Sequence, residues 1–281
     1  MDLILLGTGN AVATDCYNTC FVLADDSRPA PDRYLLVDGG GGNGLLSQLK
    51  TAKIKWQEIR TVFVTHTHMD HIMGIFWMVR MILLGMISGT YQGEAVIYGH
   101  DEAIRTIRKA AKMLLSKKQC SFLDTRLYLI PVTDGERREI LGRRVTFFDI
   151  RSTKTKQFGF SIELGGVPEG APAGVRPVLT CCGDEPCHES GRPYADHAAW
   201  LLHEAFCLYG DADRFCPYEK NHSTVKDAAE LAEELQIANL VLYHTEDLDL
   251  THRKARYSEE GSRYYHGHLW VPDDLERIRL L

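Results

Sequence analysis

The residues with the most chemistry in this chain fall between positions 65 and 71, Thr65-His66-Thr67-His68-Met69-Asp70-His71. Neutral imidazole and carboxylate are the donors that bind zinc and related divalent cations. Here His66, His68, Asp70 and His71 crowd into one short run. In extended backbone, residues two apart point to the same side, so His66 and His68 can share one cation. Asp70 and His71 lie past the turn and face a different point, which suits a second cation.

Such a cluster needs rigid flanks. Thr61-Val62-Phe63-Val64 is β-branched and aromatic and reads as the end of a buried strand. Ile72-Met73-Gly74-Ile75-Phe76-Trp77-Met78-Val79-Arg80-Met81 reads as a helix. The donors therefore sit on a tight strand-to-helix connection, which can aim several side chains at one point. Further strands are expected at Leu3-Ile4-Leu5-Leu6, Thr19 to Leu23, Tyr34 to Asp38, Glu94 to Tyr98, Leu127 to Pro131, Arg144 to Ile150, Phe160 to Leu164, Pro177 to Cys182 and Asn239 to Thr245. The Gly7-Thr8-Gly9 turn has no prompt helix after it, so it reads as a tight turn rather than a nucleotide loop.

His66-x-His68-x-Asp70-His71 after an apolar strand resembles the signature of the metallo-β-lactamase superfamily. The resemblance implies an αββα four-layer sandwich with a one- or two-metal hydrolytic site along one edge. We read residues 1–281 as a single domain of two β-rich halves meeting near 165–177, where the chain is rich in Gly, Pro and Ala. The resemblance also implies roles downstream. Gly183-Asp184 closes an apolar strand and matches the motif whose aspartate bridges both metals. His244 lies at the end of the strand Asn239 to Thr245 and matches the last metal ligand. Asp38, ending a strand before Gly39 to Gly42, is expected behind a ligand histidine. His203-Glu204-Ala205 and Asn221-His222-Ser223-Thr224 resemble elements of the ribonuclease Z-like branch, with Phe206 where that branch has threonine.

One position departs from the pattern. The resemblance calls for another ligand histidine near Phe148 to Gly159, yet no histidine lies between His100 and His188, and Arg151 occupies the expected place. A guanidinium has no lone pair to offer and stays protonated, so it cannot ligate a metal. His188 is the nearest substitute.

Composition narrows the context. The 281 residues carry a net charge of −6, which argues against a general nucleic-acid surface. The opening run is strand-like rather than a signal peptide, and eight cysteines in a chain of this length read as reduced thiols of a cytoplasmic protein. The apolar run Ile72 to Ile87 contains Arg80 and reads as too short to span a bilayer, hence as a core or subunit-interface helix and a possible homodimer contact.

The resulting expectation is a metal-dependent hydrolase, most of all a phosphodiesterase of ribonuclease Z-like type that uses a metal-activated water. Its metal ligands are His66, His68 and Asp184 for one ion, with Asp70, His71, Asp184 and His244 for the other. Asp70, His222 and Glu204 are the catalytic groups, His222 acting as a general acid held by Glu204. The cofactor is one or two divalent ions, zinc first, with manganese or iron as alternatives. The substrate is a small or short phosphodiester. The branch's tRNA-processing members have a long protruding arm, whereas residues 165–177 are far too few for one, so tRNA is not favoured. Arg151, Lys154 and Lys156 are candidates for a phosphate clamp. Two other readings stay open: hydrolysis of carboxylic esters, thioesters or lactams, and a non-catalytic metal-binding protein in which Arg151 has cost the site a ligand. A redox di-iron centre lacks a flavin-binding segment to supply it.

Overall fold

The computed structural model describes residues 1–29 and 32–281. Its first part runs β1 (Asp2–Gly7), β2 (Cys20–Ala24), β3 (Tyr34–Val37), α1 (Gly44–Thr51), β4 (Thr61–Val64), α2 (Met69–Ser88), β5 (Ala95–Gly99), α3 (Asp101–Leu114), α4 (Lys117–Cys120) and β6 (Leu127–Pro131). The second runs β7 (Arg137–Ile140), β8 (Arg143–Asp149), β9 (Phe158–Glu163), β10 (Arg176–Cys181), α5 (Arg192–Ala195), β11 (Ala198–Glu204), α6 (Ala212–Phe215), α7 (Val225–Glu234), β12 (Asn239–Tyr243), α8 (Leu250–Gly261), β13 (His268–Trp270) and β14 (Arg277–Arg279). These strands form two seven-stranded sheets, ordered β14-β1-β2-β3-β4-β5-β6 and β13-β12-β11-β10-β9-β8-β7.

Strand periodicity decides the layers. In β1, Leu3 and Leu5 point between the sheets while Ile4 and Leu6 point at the helices, so Leu3 to Leu6 are apolar and buried without a break. The inner core joins Phe21, Phe63, Phe147 and Phe160 across the two sheets, with Phe63 and Phe147 centroids 4.9 Å apart. One outer core seats α1, α2 and α3 on the first sheet, and the other seats α7 and α8 on the second. This is the αββα sandwich expected.

Two sequence expectations need correction. The chain passes between sheets at residues 132–136, not near 165–177. The Gly- and Pro-rich run only joins β9 to its antiparallel neighbour β10, so its composition marks an exposed loop, not a change of layer. The C-terminal stretch holding His252, His266 and His268 is built into the fold: α8 and β13 belong to the second half, and β14 pairs with β1. Finally, α2 starts before its apolar run and spans twenty residues, long and apolar enough to cross a membrane by length and composition. Its inner face is instead buried in the core through Ile75, Met78, Val79, Ile82 and Leu83, and its first turn carries Asp70 and His71. All eight cysteines are free thiols.

The parallel strands β3 to β6 and β10 to β13 end on one edge, where loops at strand C-termini commonly build sites. The two sheets are stitched there by backbone bonds from Phe158 N–H to the Thr65 carbonyl (3.0 Å) and from Thr245 N–H to the Thr8 carbonyl (3.0 Å).

Candidate dinuclear metal centre

Each donor reaches this edge from the end of an element. His66 and His68 follow β4, with His68 as the residue before α2, and Asp70 and His71 occupy the first turn of that helix. Asp184 follows β10, Glu204 ends β11, and His244 follows β12. Asp38 and His244 both leave their strands with left-handed backbone, φ 57° in each. That conformation is uncommon for non-glycine residues and turns both side chains into the site.

The hub is one oxygen. Asp184 Oδ2 lies 3.4 Å from His66 Nε2, 3.8 Å from His68 Nδ1, 3.5 Å from His71 Nε2 and 3.6 Å from His244 Nε2. His66 Nε2 and His68 Nδ1 are 2.9 Å apart. Asp70 Oδ2 is 3.3 Å from His71 Nε2 and 3.4 Å from His244 Nε2. Donors placed tetrahedrally at zinc distances are separated by about 3.3 Å, so these atoms have the spacing of two ligand sets sharing Asp184.

Hydrogen bonding behind the donors supports a cation between them. His71 Nδ1 lies 2.8 Å from Asp38 Oδ2, and a carboxylate cannot donate, so the ring proton is on Nδ1 and the Nε2 lone pair faces Asp70 and Asp184. That Nε2 is buried and has no hydrogen-bond partner among the described residues. Burial lowers the His71 pKa, but Asp70, Asp38 and Asp184 outweigh it and push it well up. Nε2, aimed at two buried carboxylates, is therefore a place for positive charge, filled by a proton or by a metal ion. Asp38 also accepts from Thr65 N–H (2.8 Å) and Thr65 Oγ1–H (2.7 Å), and that hydroxyl meets His66 Nδ1 at 2.9 Å. One carboxylate thus fixes two of the rings. Beneath it, the Gly39 carbonyl lies against Gly74 of α2, so the glycine run packs backbone on backbone rather than cradling phosphate.

The charges agree. Burial raises the pKa of Asp184, yet His66 beside it, with the other imidazoles, holds the carboxyl well below its ordinary value. Asp70 behaves alike: burial opposes ionisation, and His71 and His244 outweigh it. Burial lowers the pKa of His66 and favours its neutral, ligating form.

Beside the two sets, His222 Nδ1 is 3.5 Å from Oε2 of the fully buried Glu204, whose Oε1 accepts from Ser223 N–H at 2.6 Å. Burial lowers the His222 pKa, but the Glu204 carboxylate outweighs it and the net shift is upward. Phe206 stacks on the His222 ring at 5.0 Å, so it packs the imidazole in place. His203 is structural: its Nε2 accepts from Cys187 N–H at 2.9 Å.

A cleft of about 460 Å³ opens over the donors, bounded by Val12, Met69, Lys154, Lys220, Phe206 and His222. Of the expected phosphate clamp, Lys154 alone lines it. Arg151 is exposed, with left-handed backbone, and turns outward to ion pairs with Asp134 (2.8 Å) and Asp149 (3.6 Å). Lys156 pairs with Asp101 at 2.6 Å. His188 is exposed and does not join the donors. The residue that does reach them from the β8–β9 loop is Gln157, fully buried, with Nε2 2.5 Å from Asp184 Oδ1 and 3.3 Å from His66 Nδ1. Sequence reading missed it. The available signal was a lone polar residue abutting the buried Phe158-Gly159-Phe160 run.

Comparison with known proteins agrees with the geometry. Residues 1–261 match the model of a family described as anti-Pycsar protein Apyc1. Among individual relatives, ribonuclease Z of Parabacteroides distasonis is 23% identical, with 86% of this chain and 88% of the relative covered. Ribonuclease Z of Pyrococcus abyssi is 26% identical, with 99% and 95% covered. Two solved structures share the fold: the metallo-β-lactamase fold protein YhfI of Bacillus subtilis (TM-score 0.76, 17% identity, 99% and 98% covered) and the short form of human tRNase Z (TM-score 0.69, 22% identity, both chains fully covered). The chain belongs to the family described as anti-Pycsar protein Apyc1, on the ribonuclease Z-like branch of the metallo-β-lactamase superfamily.

Proposed function

We propose that the chain is a metal-dependent phosphodiesterase of ribonuclease Z type acting on small or short phosphodiesters. The observation that carries this reading is the pair of donor sets meeting at Asp184 Oδ2 with the His222–Glu204 pair beside them. His66, His68 and Asp184 would hold one divalent ion, and Asp70, His71, Asp184 and His244 the other, with zinc favoured by the imidazole-carboxylate mixture and manganese or iron as alternatives. Such ions, when bound, supply Lewis acidity toward a phosphoryl oxygen and lower the pKa of water.

The protein's own groups do the rest. Asp70 Oδ2 sits between the two histidines of its set and can orient the attacking water toward phosphorus. His222, carrying a proton that Glu204 stabilises, donates it to the departing oxygen. The Lys154 ammonium at the cleft wall attracts phosphate charge. The β9–β10 loop is too short for a tRNA-gripping arm, and the net charge of −6 disfavours a polyanion, which supports the small substrate. The eight free thiols support a cytoplasmic setting, and the exposed apolar stripe of α2 supports a homodimer.

Turnover of bis(p-nitrophenyl) phosphate with added zinc or manganese tests the reading. Removing His68, a donor of the three-residue set, should lower kcat/KM at least 100-fold in His68→Ala. Turnover of carboxylic esters alone would move the activity to another substrate class, and a folded chain that takes up no metal would end the enzymatic reading.

A further inference from the structure

Resting on the two-ion reading above, we propose that Gln157 is the positioning residue of the bridging carboxylate, delivered by the loop that carries Arg151 in place of a fourth ligand for the first set. The bridging aspartate has two oxygens with different tasks. Oδ2 faces four imidazole nitrogens, whereas Oδ1 has Gln157 Nε2–H as its hydrogen-bond partner, at 2.5 Å. A carboxylate turns readily about its last bond unless one oxygen is anchored. The amide supplies that anchor and, being neutral, leaves the full negative charge of Asp184 for the ions.

Three features show that the space is built for this amide. Gly183 has φ 80°, and a Cβ there would come within 2.4 Å of Gln157 Nε2, so a side chain would displace the donor. The Gly183 carbonyl is itself held by the Tyr243 hydroxyl, which fixes the turn carrying Asp184. Gln157 Oε1, in contrast, is buried without a partner among the described residues. An unpaired buried carbonyl is costly, and leucine or methionine would fill the volume without that cost. The site therefore retains the amide for its N–H. The same geometry explains why the first set has three protein donors: the loop that would deliver a fourth delivers an amide behind the donors instead.

The test measures zinc affinity by chelator competition in the full-length protein, for the unaltered chain, Gln157→Met and Gln157→Ala. Thermal denaturation of the chelated forms checks folding. Removal of an outer partner of a metal ligand costs 10- to 100-fold in affinity, so both variants should bind one zinc about 10- to 100-fold more weakly. Methionine, which restores volume but not the N–H, should do no better than alanine. Native affinity for both ions in Gln157→Met would overturn the proposal and leave Gln157 a packing residue. Should the unaltered chain take up a single ion, the two-ion reading falls. The Gln157 assignment is then decided by whether Gln157→Met weakens that ion (supporting it) or leaves it unchanged (overturning it).

Discussion

At the scale of single residues, the protonation of His222 decides the reaction's dependence on pH and leaving group. Its pKa lies above the ordinary imidazole value because the Glu204 carboxylate outweighs burial. A general acid works while protonated, so turnover should hold through neutral pH and fall as pH rises through that raised value. Glu204→Gln removes the charge and keeps the shape, so the alkaline fall should move to lower pH. His222→Ala should lose about 100- to 10,000-fold on alkyl phosphodiesters, whose alkoxide must be protonated. On p-nitrophenyl esters, whose phenolate leaves without a proton, the loss should be far smaller. Equal losses on both substrates would remove His222 from the acid role. The same scale shows what was legible in the sequence. His66, His68, Asp70 and His71 are adjacent in the chain, so their convergence follows from local geometry, and His222, Glu204, Asp184 and His244 came from a family pattern that the structure assembles at one edge. Gln157 was not legible, because its partner Asp184 is 27 positions away and a lone glutamine carries no motif. Arg151 was legible as a departure but not in its consequence, since nothing local says that the loop turns it outward to Asp134.

At the scale of elements, the site depends on how closely α2 approaches the end of β3. Gly39 N–H bonds the His71 carbonyl at 2.8 Å, and Gly74 N–H bonds the Gly40 carbonyl at 3.0 Å. A Cβ on Gly74 would lie 1.8 Å from the Gly39 carbonyl oxygen, on backbone that cannot yield cheaply. The first turn of α2 carries Asp70 and His71, so moving the helix moves two donors at once. Gly74→Ala, although alanine favours helix, should therefore cost about 1–3 kcal/mol in chelated protein and weaken metal binding as well. Denaturation and chelator competition on the same samples would measure both. A variant as stable as the parent with unchanged affinity would mean that the contact relaxes freely. The strands themselves were legible because burial on both faces demands continuous apolar runs. Four were not: β7 and β14 are short with two arginines each, β13 is only three residues long, and β11 stood out for its His203-Glu204 pair rather than as a strand, so their membership comes from pairing with neighbouring strands.

At the scale of the whole molecule, α2 carries apolar residues around its full circumference, while one sheet covers only its inner side. Met73, Phe76, Trp77, Met81, Leu84 and Ile87 fall at helical spacing on the outer side, each partly exposed and none beyond 38%, with Arg80 as the charge among them. Nearby, Phe76 and Val79 of α2 and Ile107, Ala111 and Leu114 of α3 line a shallow apolar depression, and Met113 is 82% exposed. A ridge and a depression on one face can fit a second copy through a two-fold axis, each ridge entering the other's depression. Contiguous apolar surface of this kind is suited to association with another protein surface. The chain of 31.7 kDa should therefore elute from gel filtration at about twice that mass. Met81→Glu places a carboxylate at the centre of the stripe, facing its own symmetry mate, and should shift elution to the monomer while metal content stays unchanged, because the donors lie at the far end of the helix. A dimer unaffected by Met81→Glu would assign the contact to another face.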